Sequence, residues 1–331
     1  MKAKYDIPEN TQLIKISSFY VNLSDDVNRN DTIKILSKYI YSEYYNVEID
    51  IVCIQGINDE KLVKLLVSEI LNLSYELKIP INIVPKVELN NESYDNSIQL
   101  TWNSSSEIEN FDITNIIISK YPIITTSKIM LNDTIDEKLI GSKKAIIANI
   151  NIEGYLVSIF NVVLSEDYLG ISNVDFRKHE LEQLLKYIQL NNTEMKKINE
   201  LYDLKLIDKN INIICGNFNV NEIKNSKINS ELTQIFKNLK ALDTFRICNL
   251  SEKNIFTNIN GYKDCYILLL LTGMESSSDV TVQNILNYAY KTHGITVIKS
   301  YVDTNIQSND YYPIETIFLL NKNEKKLLSD D

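Results

Sequence analysis

Side chains able to carry acid–base or metal chemistry are few in this chain and widely spaced. It has two histidines, His179 and His293, and four cysteines, Cys53, Cys215, Cys248 and Cys265, with no C-x-x-C spacing. The stretch "NIICGNFNV" (212–220) reads as a buried strand closed by a tight turn at Gly216, which sets Asn217 and Asn219 at its end. An Asn amide donates and accepts hydrogen bonds but cannot act as a base. A second constellation, "NDYYPIETIF" (309–318), places Asp310 and Tyr311 ahead of another strand-like run. Asp59, Glu60, Glu166 and Asp167 are the other carboxylates from which, with Asp310 and Asn219, a hard-oxygen Mg²⁺ site could be assembled. Such a site would need a Lys or Tyr to move protons. His179 falls on a helical segment, expected on its outer side, and His293, in "YKTHGI", is expected to be a solvated turn residue.

These residues need a scaffold, and the scaffold reads as mixed α and β. Runs rich in β-branched and aromatic residues cover 13–21, 48–55, 81–85, 97–102, 113–119, 144–152, 155–164, 211–216, 265–271, 294–302 and 314–320. Helical spacing is clear in "NDTIKILSKYIYSEY", "NDEKLVKLLVSEILNLSYEL" and "DFRKHELEQLLKYIQL", and weaker around 230–239 and 281–292. The stretch 187–210 is polar and reads as a helix end plus loop. Strands outnumber helices about two to one, the pattern of two sheets packed face to face with helices outside. No repeat or linker divides the chain, so one domain over 1–331 is expected, with its core over about 12–321 and a polar tail.

Bulk properties narrow the function classes. A hydrophobic fraction of 44% supports a buried core. The net charge of −10 argues against a grip on long nucleic acid, which needs Lys and Arg to displace counterions. The cysteines read as reduced, buried small hydrophobes of an intracellular protein. "MKAKYDIPENTQ" lacks the apolar stretch of a signal peptide, and no run approaches the roughly 18 apolar residues of a transmembrane segment. An intracellular or virion location is expected. The bias toward Ile, Asn, Lys and Tyr points to an AT-rich genome, such as that of a large DNA virus or certain protists.

The order of short segments resembles the endonuclease/exonuclease/phosphatase (DNase I-like) superfamily, which includes neutral sphingomyelinases and inositol phosphatases. "DIVCIQG" (50–56) is similar to the family's D-I-V-C-L-Q-E strand, "IIISKYPI" (116–123) to A-I-L-S-R-Y-P-I, and "IFNVVL" (159–164) to V-F-N-T-H-L. "FRKHELEQLLKYI" (176–188) looks like the helix that follows, which often begins with an Arg and carries Q-L-L. "ICGNFN" (214–219) resembles G-D-F-N, "ALDTFR" (241–246) the segment after it, "KDCYILL" (263–269) R-I-D-Y-I-L, and "NDYYPIETIF" S-D-H-Y-P-V-x-x-x-F. The resemblance implies an α+β, four-layer α/β/β/α sandwich and metal-assisted phosphodiester hydrolysis at one end of the sheets. In the family a Glu holds Mg²⁺, the G-D-F-N Asp and Asn handle water and phosphate, and two His with further Asp residues complete the chemistry.

Carried over position by position, most of that set is missing. Tyr20 stands at the early Asn, with Asn22 two residues on and on the same side of the strand. Gly56 stands at the metal Glu, Val163 and Tyr311 at the two His, Asn217 and Cys265 at two Asp; Asn219 and Asp310 match. Lys263 takes the place of an Arg, and Asp264 is expected on the opposite face from Cys265. General acid–base groups typically contribute about 10²- to 10⁴-fold, so losing most of one catalytic unit should leave little rate. The expected function is an inactive pseudoenzyme acting as a structural or protein-interaction scaffold, with no catalytic residue, metal or cofactor. The first alternative is a remodelled Mg²⁺-dependent phosphodiesterase, nuclease- or sphingomyelinase-like. The second is a module that binds a phosphate ligand through Asn219 and Lys263 without cleaving it, with Tyr20 and Tyr311 filling the cleft as the counter-indication.

Overall fold

The computed structural model describes residues 10–21, 29–41, 49–57, 60–77, 82–84, 115–131, 144–166, 174–204, 207–220, 240–250, 257, 264–271, 281–305, 307 and 311–321. Its strands are β1 (Thr11–Tyr20), β2 (Ile51–Gln55), β3 (Asn82–Val84), β4 (Asn115–Ser119), β5 (Ile123–Met130), β6 (Lys144–Ile152), β7 (Tyr155–Val163), β8 (Ile207–Asn217), β9 (Ala241–Asp243), β10 (Cys265–Leu270), β11 (Ile295–Val302) and β12 (Ile314–Asn321). The helices are α1 (Arg29–Tyr41), α2 (Glu60–Leu77), α3 (Val174–Leu201), α4 (Thr244–Cys248) and α5 (Val282–Tyr288), the last running into a π-helical turn at Ala289–His293. One six-stranded sheet has the order β11-β12-β1-β2-β4-β3 and the other β5-β6-β7-β8-β10-β9.

Period-two alternation sorts the side chains into layers. In β1, Ile14 and Ile16 turn inward while Phe19 and Val21 turn out. In β8 and β10, Cys215, Cys265 and Ile267 turn inward while Ile214 and Tyr266 turn out. The inward residues of both sheets form one apolar layer between them. The outward face of the first sheet meets α1 and α2 through Leu36, Ile40, Val63, Leu66 and Ile70. That of the second meets α3 through Leu181, Leu184 and Ile188. The result is the four-layer α/β/β/α sandwich.

Two strand pairs are parallel, β1–β2 and β7–β8. Parallel neighbours need a crossover rather than a hairpin, and α1 and α3 supply it. Their carboxyl ends meet at one end of the sandwich: the Gln55 amide at the end of β2 donates to Asn161 Oδ1 of β7 at 2.8 Å.

Four features differ from the sequence expectation. β5, "IITTSKIM", is a strand that no continuous apolar run announces, its middle residues being polar and exposed; among the described residues it is an edge strand that pairs with β6. α3 runs to Leu201, where a helix end plus loop was expected over 187–210. Its polar second half docks through buried Asn191, which exchanges hydrogen bonds with Asn149 at 2.9 and 3.0 Å and donates to Ser158 at 3.1 Å, and through buried Met195. His293 is buried, with 3% exposure, rather than solvated: the π turn carries it inward, where its ring meets Tyr288 edge-on at 5.9 Å. Cys248 is only half-buried, whereas the other three cysteines are buried, and all four are free thiols. The expected strand at 97–102 and helix around 230–239 lie outside the described residues.

Candidate functional site

The last inward residue of each central strand faces the junction of the two sheets. Tyr20 ends β1 and pairs in register with Gln55 of β2, which pairs with Asn115 of β4. Across the sandwich, Asn217 of β8 pairs with Val163 of β7 and Cys265 of β10. Gly216 just before it permits the close approach of β7, since a Cβ there would lie 2.0 Å from the Val162 carbonyl oxygen.

Most of the polar atoms here bond to one another. Asn161, fully buried, donates from Nδ2 to the carbonyls of Ile54 at 3.0 Å and Ile116 at 2.9 Å, tying both sheets together. Asn115 Nδ2 donates to the Asn161 carbonyl at 3.2 Å. Gln55 Nε2 contacts Asn161 Oδ1, the Cys53 carbonyl at 3.1 Å and Ser18 Oγ at 3.1 Å. The Asn217 Oδ1 accepts from the backbone N–H of Asn219 at 2.8 Å, shaping the turn. Asn219 sits at φ 51°, a left-handed conformation Asn tolerates, and its Nδ2 donates to the Leu164 carbonyl at 2.6 Å. Within this buried set, Gln55 Oε1 and Asn217 Nδ2 are among the atoms with no hydrogen-bond partner among the described residues.

Aromatic rings occupy the side of the first sheet. Tyr20 and Tyr311 meet edge to face, centroids 4.7 Å apart. Gly56 follows β2 at φ 88°, and a Cβ there would lie 2.7 Å from the Val21 carbonyl oxygen and 2.9 Å from Tyr20 Cε2. The Tyr20 ring therefore stands against the space a side chain at position 56 would need. Burial pushes the Tyr20 hydroxyl well above the usual phenol range, and Glu166, Tyr311, Cys265 and Asp264 push it the same way. Asp264 precedes β10 at the rim and accepts from the Thr257 hydroxyl at 3.1 Å. Burial raises its carboxyl to about 6, partly offset by that hydrogen bond, with exposed Glu166 adding to the rise.

The loop after β7 is anchored by buried charged side chains of α3. Glu180 of α3, fully buried, accepts from the Ser165 backbone N–H at 2.9 Å and from its hydroxyl at 2.5 Å. Arg177, also buried, donates to the Ser165 carbonyl at 3.1 Å. Neither role was read from the sequence, although the Arg at the start of that helix was the visible signal.

Of the site positions read from the sequence, Tyr20, Gly56, Val163, Asn217, Asn219, Cys265 and Tyr311 are described and gather at this end of the sandwich. Asn22, Asp59, Asp167, Lys263 and Asp310 lie outside the described residues, as does the side chain of Glu60. The donor set among the described residues does not fit Mg²⁺, which takes oxygen ligands that usually include a carboxylate or two. Position 56 offers no side chain, position 217 an amide and position 265 a thiol. Among the described residues no three His, Cys, Asp or Glu side chains group as metal ligands, and no helix is long and apolar enough to cross a membrane.

No protein-family model matches the chain, and no curated protein matches it. Solved structures do. An endonuclease/exonuclease/phosphatase family protein from Leptotrichia buccalis superposes with a TM-score of 0.54 at 14% identity, over 92% of this chain and 98% of that one. A mannosyl-6-phosphatase from Bacteroides thetaiotaomicron gives 0.52 at 10% identity, over 92% and 98%. Sphingomyelinase C from Streptomyces griseocarneus gives 0.52 at 12% identity, over 92% and 99%. At these identities the likeness establishes architecture, and the chain has the endonuclease/exonuclease/phosphatase, DNase I-like fold.

Proposed function

We propose that the chain is a divergent, catalytically inactive member of this superfamily, folded as a single domain, that serves as a scaffold for a protein partner inside a cell or a virion. The observation that carries the reading is the Tyr20 ring standing 2.9 Å from where a Cβ at position 56 would be. A carboxylate cannot be held at that position without moving both the ring and the backbone. The uncharged Asn217 and Cys265 support it, since neither supplies the negative charge a hard cation requires. Partner contact falls to surface residues, among them exposed Tyr75 and Tyr202; Tyr suits protein interfaces.

The test is calorimetric titration of the purified chain with Mg²⁺ and Mn²⁺, run beside hydrolysis of a chromogenic phosphodiester. Affinity of millimolar or weaker, with no metal-stimulated turnover, is the expected result. Micromolar binding abolished by Asp310→Ala would overturn it in favour of a rebuilt phosphodiesterase. One observation favours that second reading: Asp264, held near pH 6, is a proton carrier at the rim. Asp264→Asn should then remove any turnover detected. Binding of a phosphate ligand has less support, because Glu166 and Asp264 make the rim negative.

A further inference from the structure

The first sheet ends in β11 and β3, the second in β5 and β9. An edge strand presents N–H and C=O groups that pair with any extended chain, and proteins blunt or cover most such edges. β3 and β9 are blunted by length, at three residues each. β11 has eight residues, but a bulge between Val297 and Lys299 breaks its register, and α4, α5 and the π turn pack on it. β5 also has eight residues. It keeps register with β6 without a break from Thr125 to Met130, and its Thr126, Ser127 and Lys128 are exposed. Among the described residues no strand lies along its other side.

An apolar surface adjoins this edge. Thr125 Oγ1 donates to Met195 Sδ at 3.3 Å, and Ile124 and Ile198 pack on Met195 and Leu156, which places the end of α3 beside the start of β5. One helical turn beyond Ile198 come Leu201 and Tyr202, 76% and 67% exposed. That turn is fixed by its backbone: the Tyr202 N–H donates to the Ile198 carbonyl at 3.0 Å and the Leu204 N–H to the Asn199 carbonyl at 3.2 Å. Grouped apolar exposure beside an open edge marks a contact surface, whereas scattered exposure does not.

The occupant this surface fits is a second copy of the chain. Alternating N–H and C=O groups are matched by another extended strand. With a net charge of −10, copies repel one another over most of their surface. Here the exposed charges balance, Lys128, Lys196 and Lys197 against Glu194, Glu200 and Asp203. β5 is also self-complementary. A two-fold axis normal to the sheet through Ser127 makes the two strands antiparallel and keeps every side chain on its own face. Ser127 then meets Ser127 of the second copy, Thr126 meets its Lys128, and Thr125 meets its Ile129. Lys128 is the strand's one charge, so no like charges are opposed.

We propose that the chain forms a symmetric dimer by antiparallel pairing of β5 with β5 of a second copy, joining their six-stranded sheets into one, with Leu201 and Tyr202 at the border. This names one partner for the scaffold reading. The experiment is sedimentation equilibrium of the full chain from submicromolar to high micromolar concentration. A reversible monomer–dimer equilibrium is expected. Ser127→Lys sets two ammonium groups against each other across the axis and should weaken dimerisation about tenfold. Ser127→Thr, which suits a strand, should leave it unchanged. The double variant Leu201→Ser/Tyr202→Ser should weaken it by about the same factor, through lost apolar burial. Thermal melts at a concentration where the parent is monomeric confirm that each variant folds. A monomer at every concentration would overturn the proposal. So would a dimer that Ser127→Lys leaves intact, since its contact would lie elsewhere. The metal titration reads the sheet junction alone, so the inactive reading and the dimer fail independently.

Discussion

The molecule buries polar groups in two places and treats them in opposite ways. Beneath α1, on the outer face of the first sheet, Lys15 pairs with Glu315 at 2.6 Å, both nearly inaccessible. Glu315 also accepts from the Tyr39 hydroxyl, Ser17 Oγ lies 2.9 Å from that hydroxyl, and the Lys15 ammonium stands 5.8 Å from the Tyr301 ring. Burial first, and then the charge of Glu315, push the Tyr39 hydroxyl well above its usual range, so it stays a neutral donor. At the sheet junction the buried polar side chains are mainly amides, and Gln55 Oε1 and Asn217 Nδ2 are left without a hydrogen-bond partner among the described residues. The difference teaches where this chain keeps charge: a full ion pair is retained under a helix, where a partner is covalently fixed to the next strand. At the junction, position 56 carries no side chain, position 217 an amide and position 265 a thiol.

The sharpest way to break that comparison is to remove one member of the ion pair. Lys15→Met leaves the Glu315 carboxylate buried without its cation and should cost about 3–5 kcal/mol in chemical denaturation. The double variant Lys15→Met/Glu315→Leu should recover most of that loss, because a buried pair is worth little against apolar residues of similar size. Equal losses in single and double variants would mean that the cluster matters through packing alone.

The junction should respond less, and through backbone rather than charge. Gly56→Ala places a Cβ 2.7 Å from a backbone oxygen at a φ of 88° and should cost about 1–3 kcal/mol. Tyr20→Ala in the same chain relieves the ring contact but not the carbonyl contact or the φ strain. The paired variant should therefore stay below the Tyr20→Ala parent in melting temperature. Full recovery to that parent would show that the ring alone imposes glycine there.

This split also explains what was legible in the sequence. Ile14, Ile16, Cys53, Cys215 and Ile267 announce their layer because apolar alternation is a local signal, and α1, α2 and the first half of α3 announce themselves by their apolar spacing. The tail of α3 was not legible. Asn191 looks like a loop residue until Asn149 and Ser158, more than thirty positions away, are seen to satisfy it. His293 was misread for a similar reason, since a π turn shifts the side-chain phase and puts a polar residue inside. At the junction, spacing identified the positions but not the orphaned atoms of Gln55 and Asn217, because hydrogen-bond satisfaction is a property of three strands at once. The Tyr20 ring against Gly56 was equally out of reach: that contact joins residues 36 positions apart.

The smallest expected effect tests the charge that the junction still keeps at its rim. Asp264 is raised from 3.8 to about 6 in the folded chain, chiefly by burial. Its folded state therefore binds a proton more readily than the unfolded chain does, and the sign follows from linkage. The stability this group contributes is present in full below about pH 4 and is lost as the pH rises through 6. Asp264→Asn removes the titration while leaving an oxygen for the Thr257 hydroxyl. Relative to the parent, the variant should gain about 1–2 kcal/mol at pH 8 and nothing at pH 4, read from urea unfolding across that range. A flat difference between pH 4 and 8 would mean that the carboxyl is solvated. The rim would then not share the desolvated character of the junction behind it, and the negative potential invoked against anions would have to come from Glu166 alone.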